Sequence, residues 1–574
     1  MQGLIEAALN IDCCKLLRLS PYVVADLLAR PGDVRSFAVS LGTDRHILSR
    51  SQPGGQTPWQ RTDQGEPGGH PSDANRLRYG YGLTMGPTDT KRTFRLILYD
   101  ALASEAMGAL TAGVFLTGFL VELGASNLAI GLLAAVPFTV QFLQLPAVVL
   151  VERLRARRTI ATWSAGIGRS FLIAAATAPF LGATAGIITL VVCVALYQAM
   201  AAVAGCAWNS WMRDLVPEND FGRFFGRRAT ATTALATVLA LLGGVLIDGC
   251  KRAMPGHPAF VYAGLFIVSA GIGFLGVWLL SITPDQPMPP VAQRTRIVTL
   301  LTTPFRDRNF RRLIVFLSSW NFAANLAAPF FAVYMLRTLG YSMTIVIVLT
   351  TASQLSNLAA LGLWGTLIDR FSNKAVLEIS APLFLACTLA WTFTGLAWVG
   401  PATLYLLLAI HVLMGIATAG VALASGNIVM KLSPAGQATA FLATSSVVSA
   451  TCAAAAAVIG GLCADFFAAH QLTLALTWQG SVDAVSVQVL NLHSWTFFFG
   501  LAFVVGLYSL HRLSFVQETS GTTDPLLLRD LLLEARRSIQ SLSSAAGLVR
   551  VVRAPSLTVR PQSGRRPSSD NPPQ

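Results

Sequence analysis

Three ionisable side chains stand where water is scarce. Asp100, Glu105 and Arg169 lie inside otherwise apolar stretches. An acid at the middle of a bilayer costs ~2.5 to 3.5 kcal/mol on insertion scales and tends to mark an ion pathway. Burial favours the neutral form of a carboxylate, so such a group can take up a proton from one side of a barrier and release it on the other. Asp100 lies nearer one end of its segment, and Glu105 about nine residues into it. Five residues turn a helix by about 140°, so the two cannot share one narrow cavity. Glu105, the deeper, is the leading proton-coupling candidate, followed by Asp100 and by His411, whose imidazole titrates near neutral pH. Arg169 reads as a structural partner of Asp100 or of a nearby carbonyl.

Uncharged polar and aromatic groups at similar depth could contact a solute. They are Gln141, Gln144, Tyr197, Gln198, Trp320, Asn321, Asn325, Gln354 and Asn357. Asn321 and Asn325 are one helical turn apart and share a face, so they rank first. Each of these residues could equally be interhelical glue. No pattern of covalent chemistry competes. The sequence lacks a Walker A loop, an HExxH and a GxSxG, and the Gly166-Ile-Gly168 pair has no phosphate-loop continuation. None of the eight cysteines forms a CxxC. The chain is therefore expected to be no enzyme and to hold no metal or cofactor.

Composition dictates where these residues sit. Of 574 residues, 53% are hydrophobic and 12% charged, about half the charged share of a soluble domain. Between Arg95 and Val516 there are only 23 Lys/Arg and 14 Asp/Glu. Such a chain cannot clothe a soluble globule in polar surface. It reads as an all-α integral membrane protein with polar ends, and its net charge of +14 reflects loop topology, with no nucleic acid required.

Windows of about 20 apolar residues, the length that crosses a ~30 Å hydrocarbon layer, fall in two sets of six. The first set covers roughly 96–121, 127–150, 159–182, 184–207, 229–249 and 259–282. The second covers 312–336, 343–367, 374–398, 402–429, 439–464 and 494–515. Twelve transmembrane helices in two six-helix bundles, residues 91–282 and 310–516, are expected around a central loop, 283–309. Arginine and lysine mark cytoplasmic loops. They cluster after spans 2, 4, 6, 8 and 10, while the odd loops hold only Lys251, Arg252 and Arg337. Both termini and the central loop are then cytoplasmic, and the 28-residue loop Asp465 to Leu492, without Lys or Arg, faces outward.

The two sets are one unit used twice. At an offset of 217, Arg95-Leu96-Ile97 recurs as Arg312-Leu313-Ile314 and Glu152-Arg153 as Asp369-Arg370. Likewise Gly243-Gly244-Val-Leu-Ile-Asp248 recurs as Gly460-Gly461-Leu-Cys-Ala-Asp465. Leu123-Gly124 against Leu339-Gly340 gives 216, a one-residue slip between the first two spans of each half. Two parallel six-helix units about an axis along the membrane normal form a transporter architecture with a midplane site between halves. The paired glycines are expected to let helices approach closely.

Between spans 8 and 9, Gly365-Thr-Leu-Ile-Asp369-Arg370-Phe-Ser-Asn-Lys374 resembles the G-x-x-x-D-R-x-G-x-K/R loop of the major facilitator superfamily, with Ser372 in place of the later glycine. Its companion after span 2, around Glu152-Arg153 and Arg155, Arg157 and Arg158, keeps the acid-base pair and lacks both glycines. The resemblance covers about 420 residues, Arg95 to Val516. It implies a secondary active transporter of a small solute, similar to a bacterial branch in its Trp208 and Trp320 stretches, working as a monomer in the cell (inner or plasma) membrane. It also implies that the gate loops latch: Glu152 reaches the start of span 11, and Asp369 the start of span 5 beside Arg223, Arg227 and Arg228, when the transporter is open outward. Helix N-termini carry partial positive charge, which gives an acid its physical reason there. In this family span 1 lines the cavity, which favours Glu105 for proton coupling. Span 5 lacks the Gly-Pro pair of many family antiporters. The alternative is a non-transporting sensor or assembly factor of the same fold, with its tails as working surfaces.

Those tails are residues 1–90 and 517–574. The first holds a Gly/Pro/Ser/Gln-rich run from Ser49 to Gly69 and reads as disordered. Met85 is an alternative start, which would make 1–84 an upstream extension. The second is expected to form an amphipathic helix over Asp524 to Val552, lying on the inner leaflet.

Overall fold

A computed structural model describes residues 87–216, 218–285, 302–395, 402–434, 438–468, 470, 472–479, 484–492 and 494–518. All belong to one compact unit, Met85–Leu527. Most of the first tail, the expected amphipathic helix of the second and most of the central loop lie outside the described residues.

Twelve helical rods run through the described residues. In the first half they are α1 (Pro87–Thr111, continued by Gly113–Glu122), α2 (Asn127–Thr139, continued by Gln144–Leu154), α3 (Arg157–Ala175), α4 (Ala183–Leu215), α5 (Glu218–Ala253) and α6 (Pro258–Ser281). In the second they are α7 (Arg308–Val333), α8 (Met343–Arg370), α9 (Asn373–Ala390), α10 (Thr403–Leu432), α11 (Ala438–Ala468) and α12 (Ser494–Ser514). Ten are long and apolar enough to cross a membrane singly, and α2 makes eleven when its two pieces, bent by 44°, count as one span. The twelfth, α3, carries Arg157, Arg158 and Arg169 in 19 residues, and packs between α4 and α6. Arg157 and Arg169 are buried there, which explains how this rod carries its charge.

Local chemistry sets the ends and breaks. Ser126, Ser342 and Ser372 accept hydrogen bonds from the third residue of α2, α8 and α9, and Asp307 does so for α7. These side chains satisfy amides that a helix start leaves unpaired. Ser126 and Ser342 stand 216 apart, so the slip in the repeat runs through equivalent caps. The break in α1 falls at Gly113, whose φ of 55° few other residues tolerate. In α2 the kink follows Pro137 and a 3-10 turn over Val140–Leu143.

The expected outward loop is partly a β-hairpin. Strand β1 (Leu472–Gln479) pairs antiparallel with β2 (Ala484–Leu492), with a bulge between Leu474 and Ala475. The alternation of Val485, Val487 and Val489 with Ser486 and Gln488 is a period-two pattern, and it overrides the loop reading. The fold is thus helical with one extramembrane hairpin.

Within the first half α1 packs on α5 and α6, and α3 on α4 and α6; the second half repeats this with α7, α11 and α12 and with α9, α10 and α12. The halves meet through α2 against α11 and α5 against α8. A continuous apolar core runs across that junction, and within the second half Phe331 stacks on Trp391 at 4.4 Å between ring centres.

Candidate functional site

Two aspartates hold the halves together at the hairpin end. Asp248, at the end of α5, accepts from the amides of Met343 (2.9 Å) and Thr344 (2.8 Å) and from the Thr344 hydroxyl, at the start of α8. Asp465, at the end of α11, accepts from the amides of Asn127 (2.9 Å) and Leu128 (2.8 Å), at the start of α2. The acids are 217 positions apart and the amides 216, so one contact is built twice. Each carboxylate fills orphan amides at a helix N-terminus, where the dipole favours negative charge.

The glycines of the repeated motif make this contact possible. A Cβ on Gly461 would lie 2.8 Å from Leu128 Cα, and one on Gly244 would lie 2.8 Å from Ile347 Cδ1 and 3.3 Å from Thr344 Cα. These second glycines face the opposite half. The first of each pair, Gly243 and Gly460, face their own half, against Phe115 and Phe330. Arg337 adds a further cross-contact by donating to the carbonyl of Ala125, and Lys251 pairs with Glu122 within the first half.

Opposite, at the arginine-rich end, the gate-loop acids are apart from their expected partners. Asp369 and Arg370 are exposed, and Glu152 is half-buried beside exposed Arg153. Among the described residues neither acid hydrogen-bonds to α5 or α11, although Arg370 has a partner. Gly365 is half-buried with open space around its Cα. Lys374 instead donates to the Ser514 carbonyl at the end of α12, at 3.2 Å. Arg158, 216 positions earlier, donates in the same way to the Ser281 carbonyl at the end of α6.

A polar pocket of about 250 Å³ opens inside the first half, lined by Asp100, Ser104, Arg169, Tyr197, Trp208 and Arg228 among others. Arg169 donates to Ser104 at 2.9 Å, and Ser104 in turn donates to Asp100 at 3.4 Å. The expected Asp100–Arg169 partnership therefore runs through a serine. Arg228 lies over the Trp208 ring at 4.8 Å. It was expected beside Asp369, and in this conformation it faces the pocket. Glu105 is exposed, one turn beyond buried Asp100, and both acids lie within electrostatic reach of Arg228.

The other candidates are dispersed. Asn321 and Asn325 donate to carbonyls of their own helix, those of Leu317 and Asn321. Asn357 donates to Gly415 across to α10, Trp320 is buried edge-on against Phe384, and Gln198 and Gln354 are half-buried and exposed. His411 is buried, its Nδ1 on the Leu407 carbonyl and its ring beside Trp391. No group of three metal-ligating side chains occurs among the described residues.

The sequence assigns no role to Asp248, Asp465 or Glu518, and it places Arg228 at the gate, where the structure turns it to the pocket. The first two were visible as repeated positions in the Gly-Gly motif. Glu518 carried no signal beyond charge.

A model of the Major Facilitator Superfamily matches residues 101–327. No curated protein matches the sequence. Among solved structures, a point mutant of the nucleoside transporter NupG is similar at 12% identity and a TM-score of 0.57, over 75% of this chain and 100% of that one. A D-xylose-proton symporter is similar at 17% and 0.52, over 75% and 99%. A bacterial homologue of the iron transporter ferroportin, in an inward-facing state, is similar at 12% and 0.52, over 74% and 99%. At these identities the likeness is one of fold, and it agrees with the doubled six-helix unit: the chain is a multi-pass membrane protein with the fold of these transporters, and its residues 101–327 are similar to the Major Facilitator Superfamily.

Proposed function

We propose that this chain is a secondary active transporter of a cell membrane that moves a small solute by alternating access, with protons as the coupling ion. The observation that carries this reading is the asymmetry of the two ends. Asp248 and Asp465 tie the halves at the hairpin end, while Asp369 stands exposed at the other. A rigid rocking of the halves exchanges one set of helix-capping acids for the other. The hairpin end is then the external face, closed here, and the arginine-rich loops and both termini are cytoplasmic, as the charge bias requires. The protein needs no second copy for this cycle and works as a monomer in the bilayer.

Coupling is assigned to Glu105. It is exposed on α1 within reach of Arg228 and Tyr197, so gain or loss of its proton changes the field at the pocket. Polar positions on the second half, Trp320, Asn321, Asn325, Gln354 and Asn357, with Gln198 on the first, remain the proposed solute contacts. Neighbours named for a nucleoside, a sugar and a metal share this fold, so fold alone selects no cargo.

Comparing metabolite levels between deletion and overexpression strains identifies the solute, and proteoliposomes test the mechanism. Glu105→Gln mimics the protonated acid. Exchange of solute down its own gradient is expected to survive while accumulation driven by a pH step is lost. Accumulation undiminished in Glu105→Gln would remove Glu105 from coupling and favour His411, sodium or uncoupled movement. Absence of any solute flux in wild type would favour the sensor reading.

A further inference from the structure

The pocket in the first half holds more positive charge than its own acid balances. Arg169 is 6% exposed, makes one hydrogen bond to Ser104, and its Nε finds no acceptor in the protein. Arg228 lies against Trp208, and its buried Nε also finds none. Among the described residues, Asp100 is the one buried carboxylate that lines this pocket with the two guanidiniums. Glu105 interacts with Arg228 but does not line the pocket.

A structural ion pair needs one arginine and no cavity. Here there are two, around a space of about 250 Å³, near the lower edge of small-molecule sites, ~300 to 1,000 Å³. Helix α6 contributes to that room by lacking side chains. A Cβ on Gly273 would lie 3.0 Å from Arg169 Nε, and one on Gly276 would lie 3.3 Å from Asp100 Oδ1. The rest of the wall is small or apolar, including Ala161, Ala201 and Ala204. Guanidinium donors in a fixed fork match a carboxylate bidentately.

The geometry points to this pocket as a binding site for a small organic monocarboxylate, gripped by Arg169 and Arg228, with the apolar wall taking its hydrocarbon part. Charge selects the class. Two guanidiniums less one carboxylate leave a single positive charge, which one negative charge neutralises. A dianion would leave an uncompensated buried charge, which is strongly unfavourable. A neutral solute would leave the arginine surplus unpaired. The inference deepens the transporter reading and rests on it for the statement that the acid is cargo.

The test uses the full chain in lipid nanodiscs, with benzoate and butyrate as probes, benzamide and butyramide as matched neutral controls, and phthalate as the dianion. The melting temperature should rise with at least one acid and not with its amide, since a ligand that binds only the folded state raises apparent stability. Arg228→Gln, half-buried and so tolerant of substitution, should weaken the apparent affinity by roughly thirtyfold or more, as truncation of one partner of a desolvated charge pair does. Arg169→Lys keeps the charge but not the fork and should weaken it less. Asp100→Asn raises the surplus to two charges and should shift preference towards phthalate. The inference is overturned if no acid stabilises the protein, or if stabilisation survives unchanged in Arg228→Gln and Arg169→Lys. Acid binding that depends on the arginines without counterflow of the bound acid would sink the transporter reading and leave the site. Flux of a neutral solute indifferent to Arg228→Gln would overturn the site and leave the transporter.

Discussion

Asp248 and Asp465 perform the same act in opposite directions: each ends a helix of one half and caps the first turn of a helix in the other. Their partners bind the halves at one end only. The remainder of the inter-half contact follows α2 against α11 and α5 against α8.

Removing either charge should loosen that end. Hydrogen bonds to charged groups are worth ~1.5 to 3 kcal/mol each, and asparagine keeps one acceptor. A net loss of roughly 2 kcal/mol shifts a two-state equilibrium about thirtyfold. For Asp248→Asn and Asp465→Asn, spin-label distances across the hairpin end should lengthen, and the double variant should shift further than either single one. Unchanged distances in the double variant would show that the carboxylates do not hold the closure.

The paired glycines separate folding from conformational change. Gly461→Ala puts a methyl 2.7 Å from the Asn127 carbonyl oxygen of the opposite half. It should favour the state open at the hairpin end, read as faster alkylation of a cysteine placed there, with little loss of protein. Gly460→Ala instead meets the Leu326 carbonyl and Phe330 within its own half. That variant should lower melting temperature in both states, because overpacking commonly costs ~1 to 3 kcal/mol.

Glu518 pins the chain after α12 beneath the second half. Its carboxylate, 3% exposed, accepts from the amide of Lys374 at 2.9 Å, from Asn373 Nδ2 at 2.8 Å and from Lys431 Nζ at 2.8 Å. Burial pushes its pKa up, but the lysine, the amide and the asparagine outweigh it, and the net shift is downward. A depressed acid contributes stability that is complete above its unfolded pKa and is lost as pH falls through the folded one. Glu518→Gln should therefore lower the melting temperature at neutral pH and flatten the fall in stability below the usual glutamate range. An identical acid limb in wild type and variant would contradict this role.

Asp369→Asn tests the opposite gate. Asp369 is exposed in this conformation, so folding should be unaffected. In the state closed at the arginine-rich end the variant loses a charge–dipole term of ~0.3 to 1 kcal/mol, up to ~2 if partly buried. Slower transport at normal protein level is expected. Wild-type flux would reduce the loop to a topology signal.

Much of this protein is legible along the chain because hydrophobic length and loop charge are one-dimensional quantities. A bilayer's thickness sets the span length, and the repeat at 217, with its slip to 216, carries the two-fold plan down to the caps at Ser126 and Ser342. The motif Gly243-Gly244 to Asp248, repeated at 460–465, was plain as a pattern. Its meaning was not, because which helix a glycine or an aspartate meets depends on how the halves rotate and dock. The same limit applies to the polar residues. That Asn321, Asn325 and Asn357 each donate an amide to a backbone carbonyl is set by packing and has no mark along the chain. Arg228, ten residues beyond the start of α5, reaches Trp208 and the Asp100 pocket because α4 and α5 bring those side chains together. Sequence determines which residues enter the membrane and how often the plan repeats; tertiary packing alone decides which charge meets which helix end, since that choice is made by contacts hundreds of residues apart.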